Sequence, residues 1–95
     1  MDMDMAMSAV WTKIDEQSVV LSLRDAIDEL DGADGDLTLD FSSVPRVDTT
    51  VIRTLEELAT RAEDKKIKIV LRGVNVDVYK VLKLMKLGHR FSFIN

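Results

Sequence analysis

Leu37-Thr38-Leu39-Asp40-Phe41-Ser42-Ser43-Val44-Pro45-Arg46-Val47-Asp48-Thr49-Thr50 reads as a buried strand, a short turn and the hydroxyl-rich start of a helix. Leu37, Leu39 and Phe41 alternate with Thr38 and Asp40 at the period of a strand. Pro45 then prevents a central ladder from continuing, because it has no N–H to donate. Where the helix begins, an acid stands beside two threonines. A first helical turn leaves backbone N–H groups unpaired and carries the positive end of the helix dipole, so it suits a capping oxygen or a phosphate carried on a hydroxyl. Asp48 or Thr49 therefore serves as an N-cap, worth roughly 1 kcal/mol, or marks a control point.

The helix itself follows at once. Val51, Ile52, Leu55, Leu58, Ala59 and Ala62 fall on one face, and Arg53, Glu56, Glu57, Thr60 and Arg61 on the other, the 3.6-residue pattern of a helix lying on a core. Ile67-Lys68-Ile69-Val70-Leu71 then suits a strand covered on both sides, closed by Gly73. Asn75 can cap a last helix whose buried stripe is Val78, Val81, Leu82 and Met85, with Gly88 as its stop. Phe91, Phe93 and Ile94 form a closing strand. Upstream, Val10–Ile14 and Gln17–Leu23 read as two strands joined by a tight turn at Asp15-Glu16, an opening hairpin. Leu23, Ala26, Ile27 and Leu30 add a short helix that stops at the Asp31–Gly35 loop. The expected fold is α/β, a mixed, mostly parallel sheet with that hairpin, packed against helices and joined by right-handed crossovers.

Ninety-five residues, 46% of them apolar, suffice for one small domain. Residues 1–8, which alternate Met with Asp, are expected to be a disordered tail before a domain over residues 9–95, and they lack the basic start and apolar core of a secretory signal. A net charge of −4 gives no overall attraction to nucleic acid or to an anionic membrane. No apolar run approaches the roughly 20 residues that span a bilayer, so direct membrane insertion is not expected. The chain has no cysteine, hence no disulfide framework and no thiolate nucleophile, and a cytoplasmic location fits. His89 is the only histidine, which leaves no Ser-His-Asp set and no His-rich ligand cluster. Asp28, Asp31, Asp34 and Asp36 miss the spacing of a calcium loop. No catalytic residue, metal or cofactor is expected.

Lys80, Lys83 and Lys86 recur every third residue with His89 and Arg90 just after. They fit a basic stripe for an acidic partner or nucleotide, although complementing the negative end of the last helix dipole is the plainer role.

In order, Leu37–Val44, Val47-Asp48-Thr49-Thr50, Ile67–Val74 and the helix reaching Leu87 resemble a STAS domain over residues 9 to 95, the family of sulfate-transporter C-terminal domains and bacterial anti-sigma factor antagonists. The resemblance implies a non-enzymatic interaction module. In the antagonists, the hydroxyl residue directly after the Asp that opens the second helix is phosphorylated by a partner serine kinase that doubles as an anti-sigma factor. Here that position is Thr49. Thr stands where Ser is more usual, and Val51 where the family usually has Gly. Arg46, Asp48, Thr49, Thr50 and Val51 are the partner-binding residues this implies. Arg46–Thr49 and Gly73–Tyr79 are also similar to the small STAS subunit of phospholipid-asymmetry ABC transporters, in which the matching threonine supports an ATPase partner. A third possibility is a small-ligand or nucleotide sensor using the same helix N-terminus.

Overall fold

Residues 10–33 and 35–94 are described by the structure, a computed structural model. The strands are β1 (Val10–Lys13), β2 (Leu37–Asp40), β3 (Ile69–Arg72) and β4 (Ser92–Ile94). The helices α1 (Val19–Glu29), α2 (Thr49–Lys65) and α3 (Val76–Leu84) alternate with them. The sheet order is β1-β2-β3-β4 with every pairing parallel. Each crossover steps one strand in the same direction, so right-handed connections place all three helices on one face. Membership of the core agrees. Leu37, Leu39, Phe41, Ile69 and Leu71 share it with Leu23 and Ala26 of α1, Leu55 and Leu58 of α2, and Val78 and Leu82 of α3. The alternate strand positions carry Trp11, Lys13, Asp40 and Arg72, and Arg72 stacks over the Trp11 ring at 5.1 Å.

The expected α/β class holds, but the opening hairpin does not form. The β-branched run in Gln17–Leu23 favours a strand, whereas Ser18 is the N-cap of α1 and Val19 its first residue. A strand would put Val19, Leu21 and Leu23 on one face. Instead Leu21 is 68% exposed while Leu23 is fully buried, which is helical phase. The reversal is built by Asp15: its carbonyl accepts from Ser18 N–H at 3.0 Å and its carboxylate from Gln17 N–H at 2.9 Å. Burial of Leu23, Ala26, Ile27 and Leu30 on the core outweighs the local preference of Val19 and Val20, each fully buried aliphatic being worth about 1.5–3 kcal/mol. The sheet is therefore wholly parallel among the described residues.

Two boundaries also move. Strand β3 starts at Ile69, not Ile67, because Ile67 N–H is taken by Ala62 carbonyl at 2.8 Å as α2 ends. Helix α3 ends at Leu84, with Lys86 left-handed at φ 63°, and Gly88 opens a separate short turn instead of stopping the helix. Met85, expected in the buried stripe, is the C-cap and half exposed. Val78 and Leu82 carry that stripe. The expected tail over residues 1–8 lies outside the described residues, as does Asp34 of the acidic loop.

Candidate functional site

In a parallel sheet the loops leaving the C-terminal ends of the strands share one edge, the usual place for a binding site in open α/β folds. Here that edge holds the β2–α2 and β3–α3 loops. The first is folded on itself. Ser42 N–H donates to the Asp40 carboxylate at 3.0 Å, and Val44 N–H to Phe41 carbonyl at 3.0 Å. The Ser42 hydroxyl and N–H beside Asp40, with Arg72 and Lys13 nearby, hold its carboxyl below the usual carboxylate range.

The second loop presses against the first. Gly73 is left-handed at φ +73°, and a Cβ there would lie 3.0 Å from Ser42 Cβ, so a side chain would meet both strain and collision. Asn75 ties the loops together. Its amide oxygen caps α3 by accepting from Val78 N–H at 2.8 Å, while its amide nitrogen donates to Pro45 carbonyl at 3.1 Å and Val44 carbonyl at 3.3 Å.

On this frame stands the start of α2. The Asp48 carboxylate accepts from Val51 N–H at 2.9 Å, and Asp48 carbonyl accepts from Ile52 N–H. The cap is thus Asp48, and Thr49 is the first helical residue. Thr49 and Thr50 are exposed, as is Arg46. The Val51 side chain is in the core at 5% exposure, so it supports the surface from beneath. A groove of about 500 Å³ runs from Thr49 and Ile52 across to Val81 and Met85 of α3. On the opposite side a second, of about 480 Å³, lies between Val20 of α1 and Pro45-Arg46. Asp48 borders both grooves, with Arg46 on one and Thr49 on the other, and this rim carries the exposed Thr50 beside it.

Three contributors escaped the sequence reading. Thr54 is buried, its hydroxyl donating to Thr50 carbonyl at 2.8 Å. Met85 lines the Thr49 groove because α3 ends early. The second role of Asn75 left no trace in sequence beyond its capping position. The remaining candidates lie elsewhere: Lys80, Lys83, Lys86 and His89 are exposed around α3, and Arg90 is committed to Glu63 at 2.8 Å. Among the described residues no group of three or more His, Asp or Glu side chains is placed to hold a metal, and no helix is long and apolar enough to cross a membrane.

Two solved structures share the fold. A sulfate transporter family protein from Wolinella succinogenes superposes with a TM-score of 0.76 at 20% identity, covering 96% of this chain and 80% of that one. A putative anti-sigma factor antagonist from Thermotoga maritima gives 0.70 at 18% identity, covering 93% and 74% respectively. No curated protein sequence matches. The STAS domain profile matches residues 7–95, taking in the whole sheet and the capped α2 start, and the chain belongs to the STAS domain family.

Proposed function

We propose that this domain is a non-enzymatic, cytoplasmic regulatory module that binds another protein through the rim at the start of α2, as an anti-sigma factor antagonist does, with Thr49 as its switch. The observation that carries the reading is the division of labour at that start: Asp48 takes the cap and leaves the Thr49 hydroxyl exposed. A threonine occupied as a cap would have to give up its hydrogen bond before it could be modified. Thr49 does not face that cost.

The partner is a serine kinase that doubles as an anti-sigma factor. It transfers the terminal phosphoryl of ATP to Thr49 Oγ1, releasing ADP and the hydroxyl proton. The phosphate adds roughly −1.5 to −2 charge beside Asp48. The helix dipole and Arg53, one turn on, favour that charge locally, so the fold survives. The partner surface, complementary to the neutral hydroxyl, does not accommodate it.

The test uses the wild-type chain and Thr49→Glu as baits in the native host, with the phosphate mapped by mass spectrometry. Wild type should retain the kinase, Thr49→Glu should lose it by at least about tenfold, and phosphate should appear on Thr49. Phosphate on Thr50, Ser42 or Ser43 would move the switch to that residue. Absence of phosphate, with transporter ATPase captured equally by both baits, would replace this reading with that of a constitutive ABC-transporter subunit. A nucleotide copurifying at the α2 start would instead favour a sensor.

A further inference from the structure

Two helix faces of this chain are turned to solvent with apolar residues in their outermost positions, and their charges are opposite. On α1 the outward stripe is Leu21, Asp25 and Asp28, all exposed, with Leu21 at 68%. On α3 it is Val76, Lys80 and Lys83, also exposed, with Val76 at 68% and the neighbouring Leu84 at 80%. The two stripes have the same spacing: an apolar residue, then a charge four positions on, then a like charge three further. At a rise of about 1.5 Å per residue the second and third positions lie about 6 and 4.5 Å beyond their predecessors on both helices. Laid parallel and face to face, α1 and α3 would set Leu21 near Val76 and bring Asp25 and Asp28 among Lys80 and Lys83.

None of these four charged residues joins an ion pair among the described residues, whereas Arg24, beside the acidic stripe, is drawn aside to Glu57 at 3.2 Å. Lys83 lies between Gly88 and Tyr79. A Cβ on Gly88 would come within 3.2 Å of its Cγ, and its ammonium rests over the Tyr79 ring at 5.6 Å, a ring itself set edge-on to Phe93. The basic segment from Val78 to Phe91 contains no acid, in a chain whose net charge is −4. Helix α1 is separated from α3 by the intervening β2, α2 and β3, so the two faces cannot meet within one molecule.

We infer that the acidic face of α1 binds the basic face of α3 on a second copy of the chain. Both faces lie on the helix side of the sheet and α1 and α3 run in the same direction, so a two-fold axis parallel to the helices lets two molecules exchange both contacts, and association closes into a dimer. Two short helix faces bury less than the roughly 1,200–2,000 Å² of a stable complex. The association is therefore weak, and most of its specificity comes from paired charges. It does not use Thr49.

Sedimentation of the whole chain from about 10 μM to 1 mM, at low salt and at about 0.5 M salt where screening acts within a few ångströms, tests this. The average mass should climb with concentration at low salt toward that of a dimer, and fall back at high salt. Lys80→Glu with Lys83→Glu, and separately Asp25→Lys with Asp28→Lys, should each weaken association at least about tenfold. Mixing the two variants should restore it, since the reversed α3 of one then meets the reversed α1 of the other. Circular dichroism confirms folding, and Asp25→Asn with Asp28→Asn replaces any variant that fails it. A monomer throughout, association unaffected by charge reversal, or folded variants that do not associate on mixing would each overturn the inference. Binding to vesicles of anionic lipid by a chain that never self-associates would assign the α3 face to a membrane instead.

Discussion

The starts of α2 and α3 are built alike and left in different states. Each follows a central strand, and each is capped by an Asx side chain accepting from the N–H three residues on, at 2.9 Å for Asp48 and 2.8 Å for Asn75. The difference is one atom. A carboxylate only accepts, so Asp48 spends itself on its own helix. An amide also donates, and Asn75 uses that donor on the carbonyls of Val44 and Pro45. The α3 start thus becomes a brace for the loop that carries Arg46, while the α2 start keeps its threonines exposed. The exposed start of α2 thus follows a loop that the start of α3 ties down.

Both starts depend on helices anchored to the core, and the largest effect should come from cutting that anchor. Leu55 of α2 is fully buried. Leu55→Ala should destabilise by about 2–5 kcal/mol in denaturant melts, against less than about 0.5 for the exposed Glu56→Ala. Equal losses would mean that α2 is not held by this face, and the comparison of its start with that of α3 would lose its footing.

Exchanging the two caps comes next in size. Asn75→Asp keeps the acceptor for Val78 N–H but sets a carboxylate oxygen against two carbonyls at a solvated site, and should cost about 0.5–1.5 kcal/mol. Asp48→Asn keeps its only hydrogen bond and should change stability by no more than about 0.5 kcal/mol, since the two residues cap about equally well. Equal effects would show that the brace contributes nothing.

How much of this was legible from sequence depends on range. Alternation over Leu37–Phe41 and the stripe from Val51 to Ala62 gave β2 and α2, because in both the core face is written at one clear period. Both caps were readable as short polar residues ahead of apolar runs. The Gln17–Leu23 stretch was not, since Val19-Val20-Leu21 has strand propensity and only contacts distant in sequence reveal that Leu21 points outward. The Gly73–Ser42 approach and the donor bonds of Asn75 span about thirty residues, and no local pattern encodes them. The rim was therefore visible, but what stiffens it was not.

Acid should loosen the first loop before neutral pH affects it. Asp40 is held below the usual carboxylate range by Ser42, and Glu63, outside the loop, by its hydrogen bonds with Arg90. A carboxyl with a lowered pKa in the fold binds fewer protons folded than unfolded, so its contribution is fully present above the ordinary carboxylate range. That contribution is lost as pH falls through the lowered value. Stability should rise with pH across the acid range and then level off. Asp40→Asn should flatten part of that rise in melts taken at successive pH values, and an unchanged slope would detach Asp40 from the loop's stability.

The smallest expected effect is the most diagnostic for the α2 start. Had Thr49 been the cap, Thr49→Ala would cost about 0.5–2 kcal/mol. With the cap on Asp48 and the Thr49 side chain exposed, the loss should stay within about 0.5 kcal/mol, measured beside Asp48→Ala, which should lose the larger amount. Alanine is also the better helix former, so a slight gain is compatible with the geometry. A loss at Thr49 equal to that at Asp48 would mean that the two share the cap in solution. The hydroxyl would then no longer be free of cost to modify, and the asymmetry between the braced α3 start and the open α2 start would narrow to the amide of Asn75 alone.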